Sequence, residues 1–200
     1  TIMQKMYEDG GEELAAIFKA VKECGCMTSL DMSAVDENTK AGKADWYGIL
    51  EKTLPYVDFF LPSVEEICYM LDKEEYDALQ SRANGGDITE ILSIEEDVVP
   101  LAEKILAMGC KFAMIKCGAK GFYYQTKDAD AFAELEEISG LNFSSFAGKA
   151  GFEKSYVPNA VISGTGAGDT TIAAFLTAMT AGYPLERCLQ LAAGTGASCV

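Results

Sequence analysis

Between Glu12 and Glu23 the apolar residues Leu14, Ala15, Ile17, Phe18 and Val21 recur at three- and four-residue intervals, a stripe that predicts an amphipathic helix stopped by Gly25. The period then changes. Cys26 to Leu30, ending at Asp31, and Val57 to Leu61, ending at Pro62, are short continuous apolar runs of the kind that form buried parallel strands. Helical patterns fall at about 44–54, 63–71 and 97–108, the last closed by Gly109. Phe112 to Cys117 predicts another buried strand, and Gly118-Ala119-Lys120-Gly121 a turn into a further strand at Phe122 to Tyr124. The segment Lys127 to Lys154, acidic and then rich in Gly, Ser and Phe, reads as a long excursion from the sheet. A strand around Tyr156 to Ile162 and two apolar helices, about 169–181 and 185–199, complete the chain.

Strands alternating with helices place the protein in the α/β class, as one layered domain over residues 1–200 with a mostly parallel sheet. Both ends read as cut, because Thr1 opens on a helix with no strand before it and Val200 stops inside an apolar run. The chain is therefore expected to be the C-terminal part of a longer protein. As an isolated piece it is expected to be inactive, with an exposed sheet edge prone to pair with a partner chain or as a homodimer.

Charge and composition narrow the function. Sixteen basic against 31 acidic residues give a net charge of −15, which disfavours nucleic acid and anionic lipid as partners. No run is long enough to span a bilayer, so no membrane role is expected. Seven scattered cysteines without a CxxC pair read as reduced and cytoplasmic, with no second pair at zinc-ligand spacing beside Cys24 and Cys26. There is no histidine, which excludes Ser-His-Asp and Cys-His nucleophiles and HExxH zinc sites. Acid–base chemistry is left to carboxylates, Lys, Tyr or Cys.

One loop carries chemistry. Gly164, Gly166 and Gly168 alternate with small residues between the strand at 156–162 and the helix beginning near Asp169. Such a loop can turn several backbone N–H groups, backed by a helix dipole, onto one anion. It is not a Walker A loop, and Asp169 stands where a dinucleotide fingerprint needs glycine, which weakens a dehydrogenase reading. Asp169 is either a general base for an acceptor hydroxyl or a helix N-cap; spacing alone does not choose between them.

Thr165-Gly166-Ala167-Gly168-Asp169 closely resembles the C-terminal signature of the ribokinase-like, or PfkB, family of carbohydrate kinases. The resemblance implies a three-layer α/β/α fold whose N-terminal strands and β lid lie outside this chain. It implies ATP-dependent phosphorylation of a sugar or sugar acid, with Asp169 as the catalytic base and Gly166, Ala167 and Gly168 as the anion hole beside Thr165. A nucleoside acceptor and a non-catalytic nucleotide-binding module remain alternatives. Pro62-Ser63-Val64-Glu65-Glu66 looks like the family's Asn-x-x-Glu element, putting Glu66 near Mg2+, with Ser63 in place of Asn. Asp31 falls where relatives carry an acid or amide near phosphates and metal. Lys116, Gly118 and Gly121 fall on the strand-end turn that approaches the nucleotide. Read without the family, Glu66 is a first-turn acid, Asp31 a turn former and Gly118-x-x-Gly121 an ordinary turn. Ser163 replaces a common Asp linked to monovalent-cation binding, so potassium activation is not implied. Thr171 and Ala174 replace packing residues, and Ala193 a common Asn on the adenine-side helix.

Overall fold

A computed structural model describes residues 4–158 and 160–200. Five strands form one sheet in sequential order: β1 (Ser29–Leu30), β2 (Phe59–Phe60), β3 (Phe112–Lys116), β4 (Gly121–Thr126) and β5 (Ala150–Lys154). The sheet is mixed, parallel from β1 to β3 and antiparallel from β3 through β5.

Successive residues of the central strands point to opposite faces, and both faces are covered, which is why these segments read as unbroken apolar runs. Phe60, Ala113 and Ile115 face one core, shared with α1 (Glu12–Glu23), α2 (Trp46–Thr53), α3 (Val64–Leu71) and α6 (Val99–Ala107). Phe59, Phe112 and Met114 face the other, shared with α7 (Ala129–Ser139), α8 (Ala167–Thr180) and α9 (Leu185–Ser198). The result is a three-layer α/β/α arrangement. Two short helices that the apolar pattern does not reveal, α4 (Lys73–Ala83) and α5 (Ile88–Ile91), extend the first layer. The helix α4 has few buried residues and starts from a side-chain cap, Asp72 accepting from Glu75 N–H at 3.2 Å.

The segment 127–154 differs from the expected excursion. It forms α7, then turns Phe143 and Phe146 into the second core and returns to the sheet as β5. The phenylalanines lock together, with Phe132–Phe143 and Phe143–Phe146 ring centroids 5.6 and 5.1 Å apart. The strand expected at 156–162 is not formed among the described residues, and Asn159 lies outside them. Strand β5 already fills that edge, and Pro158 has no N–H for a ladder. Tyr156, Val157, Val161 and Ile162 are consequently exposed.

Helices α8 and α9 pack closely. A Cβ on Gly196 would collide with the side chain of Thr171, whose hydroxyl donates to the Ala167 carbonyl at 2.8 Å.

At the N-terminal end of the parallel strands sits the buried carboxylate of Asp58, its side chain 2% exposed. It accepts from Lys22 of α1 at 3.1 Å, Lys111 beside β3 at 2.8 Å and Thr28 N–H at 2.9 Å. The Thr28 hydroxyl accepts in turn from Asp58 N–H at 2.9 Å. Lys111 also donates to Glu134 of α7 at 2.8 Å, so one charge cluster ties both helical layers to the sheet. Asp58→Ala leaves two lysines facing an empty buried site. It is expected to lower the unfolding free energy by about 3–5 kcal/mol, read as a shifted urea midpoint.

Candidate phosphate-binding site at the strand edge

The C-terminal ends of β1, β2 and β3 open on one side of the sheet, where the chain places Asp31, Ser63 with Glu66, and Lys116. Strand pairing sets their spacing. Lys116 N–H donates to the Pro62 carbonyl at 2.9 Å, and Ser63 bridges to Lys116 in parallel register. The Lys116 ammonium donates to both oxygens of Asp31, at 2.9 and 3.0 Å.

The first turn of α8 approaches the same place. Gly166 is its N-cap with φ 86°, a left-handed conformation that a side chain would strain. The helix thus begins two residues earlier than expected, and Asp169 is not its N-cap. Asp169 is exposed in the first turn and makes no side-chain hydrogen bond to a described residue. The N–H groups of Gly166, Gly168 and Asp169 likewise find no acceptor among the described residues, as befits an open helix start. Gly168 lies against the lysine: a Cβ there would sit 3.7 Å from Lys116 Nζ. Asp31, Glu66, Lys116 and the α8 start therefore share one edge, although the first and last are more than 130 residues apart in sequence.

Glu66 caps α3 in a reciprocal box. Ser63 N–H donates to Glu66 Oε2 at 2.8 Å, and Glu66 N–H donates to the Ser63 hydroxyl at 3.3 Å. Burial pushes the Glu66 carboxyl above the usual range, while the Ser63 N–H and the Lys116 charge pull it back and the Asp31 charge opposes them.

The remaining expected residues have local explanations. Gly118, at φ 57°, packs on Thr89, and Gly121, at φ 123°, starts β4 where a Cβ would strike the Glu153 carbonyl. Thr165 is exposed, and its N–H donates to the Ser163 hydroxyl at 3.2 Å. Ala193 is buried in the second core, whereas Gly194 and Ala197 line an open cavity of about 580 Å3 with Tyr156 and Val157. Sequence reasoning missed Cys199, whose thiol accepts from the Thr170 hydroxyl at 3.3 Å near Gly166. It also missed the pairing of Lys116 with Asp31, for which a separation of 85 residues leaves no sequence signal.

The donors suit a polyphosphate: open helix N–H groups with an ammonium beside them. The acids do not form a ready cation cage. Among the described residues no group of three or more His, Cys, Asp or Glu is placed to hold a metal. No helix of the described residues is long and apolar enough to cross a membrane.

Residues 48–200 match the pfkB family of carbohydrate kinases, and the chain belongs to that family. It is similar to a ribokinase from Arabidopsis thaliana, 28% identical over 185 residues that make up 92% of this chain and 36% of that protein. The fold is ribokinase-like. A structure of Arabidopsis thaliana ribokinase complexed with ribose and ATP superposes with a TM-score of 0.60 at 23% identity, covering 93% of this chain and 45% of that one. A PfkB protein from Polaromonas gives 0.58 at 16% identity, with coverages of 94% and 48%. A ribokinase II from E. coli in complex with ATP and Mg2+ gives 0.57 at 21%, with coverages of 92% and 45%. The chain thus spans less than half the length of each of these relatives.

Removing the α3 cap should separate the two roles of the Ser63–Glu66 box. Ser63→Ala is expected to cost about 1 kcal/mol in chemical denaturation. Glu66→Gln keeps an oxygen for the Ser63 N–H and relieves a buried charge, so its cost should stay under about 0.5 kcal/mol.

Proposed function

We propose that the protein containing this chain transfers the γ-phosphoryl group of ATP to a hydroxyl of a sugar or sugar acid. The observation that carries this reading is the convergence of the Lys116 ammonium and the open first turn of α8 on one point of the strand edge, with the Asp169 carboxylate in that same turn. A carboxylate beside an anion site is unfavourable unless it takes a proton there, and a general base does so.

In this reading Asp169 accepts the proton of the acceptor hydroxyl at a carboxylate oxygen. Of the expected anion hole, the N–H groups of Gly166 and Gly168 remain, joined by that of Asp169 and the ammonium of Lys116 in stabilising charge on the group in transit. The Ala167 N–H instead closes the turn by donating to the Gly164 carbonyl at 3.3 Å. Thr165 borders the phosphates. Nucleotide bound with Mg2+ supplies the activated phosphoryl group. Glu66 would hold nucleotide-bound Mg2+ through water, and the ion would supply neutralisation of the phosphate charge. The cavity beside Gly194 and Ala197 has the size of a nucleoside site, and it lies along α9, whose C-cap Cys199 accepts from the Thr170 hydroxyl of α8. The Ser163 hydroxyl is engaged by Thr165 N–H, and the reading includes no potassium site. In this reading the sugar-binding contacts come from parts of the protein beyond these 200 residues, which are expected to transfer no phosphoryl group by themselves.

Asp169→Asn in the full-length protein tests the assignment. ATP affinity, measured by calorimetry, should stay within about threefold, while kcat falls by roughly 100-fold or more. Unchanged turnover refutes the assigned base.

A further inference from the structure

The carboxylate of Asp31 is already engaged. Both its oxygens accept from Lys116 Nζ, at 2.9 and 3.0 Å, and the two side chains are sheltered, 28% and 14% exposed. The lysine stem runs past the first turn of α8, with Cδ and Cε each 3.8 Å from where a Cβ on Gly168 would lie. A lysine side chain has a flexible four-carbon stem, and its charge is aimed only when both stem and head are held. Here the ladder bond to Pro62 fixes the backbone, Gly168 flanks the stem and Asp31 holds the head. Glu66 is the competing carboxylate, near enough for its charge to act on both Lys116 and Asp31.

We propose that Asp31 is a positioning residue that acts through Lys116, holding its ammonium against the first turn of α8 where the transferring phosphoryl group is received. The inference rests on the kinase reading above. It gives Asp31 a role different from the metal contact that family resemblance implies, because it is the Lys116 ammonium that lies beside the first turn of α8 at Gly168. Without Asp31 the ammonium turns toward Glu66 and away from the helix mouth.

Three variants of the full-length protein test this: Asp31→Ala, Lys116→Met and the double substitution, with thermal melting to confirm folding. Asp31→Ala should lower kcat roughly 10- to 100-fold with the ATP KM within about threefold, the pattern of a misplaced group. Asp31→Asn keeps one oxygen for the lysine and should fall between wild type and Asp31→Ala. In the Lys116→Met background Asp31→Ala should change kcat by less than about twofold, because its effect passes through the lysine. Manganese affinity of the protein–ATP complex, read by electron paramagnetic resonance, should stay within about threefold of wild type in Asp31→Ala. An undiminished kcat loss in the Lys116→Met background, or a manganese affinity weakened about tenfold or more, overturns the proposal. If the full-length protein binds ATP but phosphorylates no hydroxyl acceptor, the kinase reading fails, and the manganese measurement still decides whether Asp31 serves the metal.

Discussion

The buried carboxylate of Asp58 is the constraint on which the rest of the architecture depends. Burying a lone carboxylate costs several kcal/mol, and here three chain segments supply the donors that offset it, through Lys22, Thr28 and Lys111. Strands β1 and β2 are two residues long and form few ladder bonds of their own. The cluster at their N-terminal ends pins their register against β3 and binds α1 and α7 from opposite faces. Asp31, Glu66 and Lys116 then emerge at the other end of the same strands at set spacings. The placement of the candidate site is thus decided largely at the far side of the sheet.

Charge is distributed in the same economical way. The chain as a whole is strongly acidic, so an anionic ligand gains nothing from its surface field. What favours the anion is local: oriented backbone N–H groups at the α8 start and one lysine whose head is tethered by an acid. This arrangement suits the proposed site, where the anion is attracted at one point and the Asp169 carboxylate stands in the same turn.

Much of this was legible in the sequence, for identifiable reasons. Strands covered on both faces produce apolar runs, and helix α1 carries its stripe from Glu12 to Glu23, so both were readable from periodicity. The glycine loop was readable in part, because Gly166 alone of its three glycines has a left-handed backbone, and Gly166, not Asp169, caps the helix. Legibility ended where structure rests on distant partners. Strand β5, Ala-Gly-Phe-Glu-Lys, has little strand character and exists because β4 offers it an open edge. The apolar residues around Val157 promised a strand that Pro158 and the filled edge prevent. Helix α4 is polar almost throughout and is set by its caps, a signal that hydrophobic spacing cannot carry. Asp31 and Lys116 each looked meaningful alone, but their union needed the fold.

The close approach of Gly196 to Thr171 has a thermodynamic consequence. With α9 pressed on its first turns, α8 has little freedom left to surrender, so on the proposed reading little binding energy is lost to ordering the receptor when an anion docks. A receptor of this kind discriminates by position instead of by adaptation. As a kinase site it would favour a phosphate delivered at the right place and leave the choice of acceptor to surfaces that can change without disturbing it.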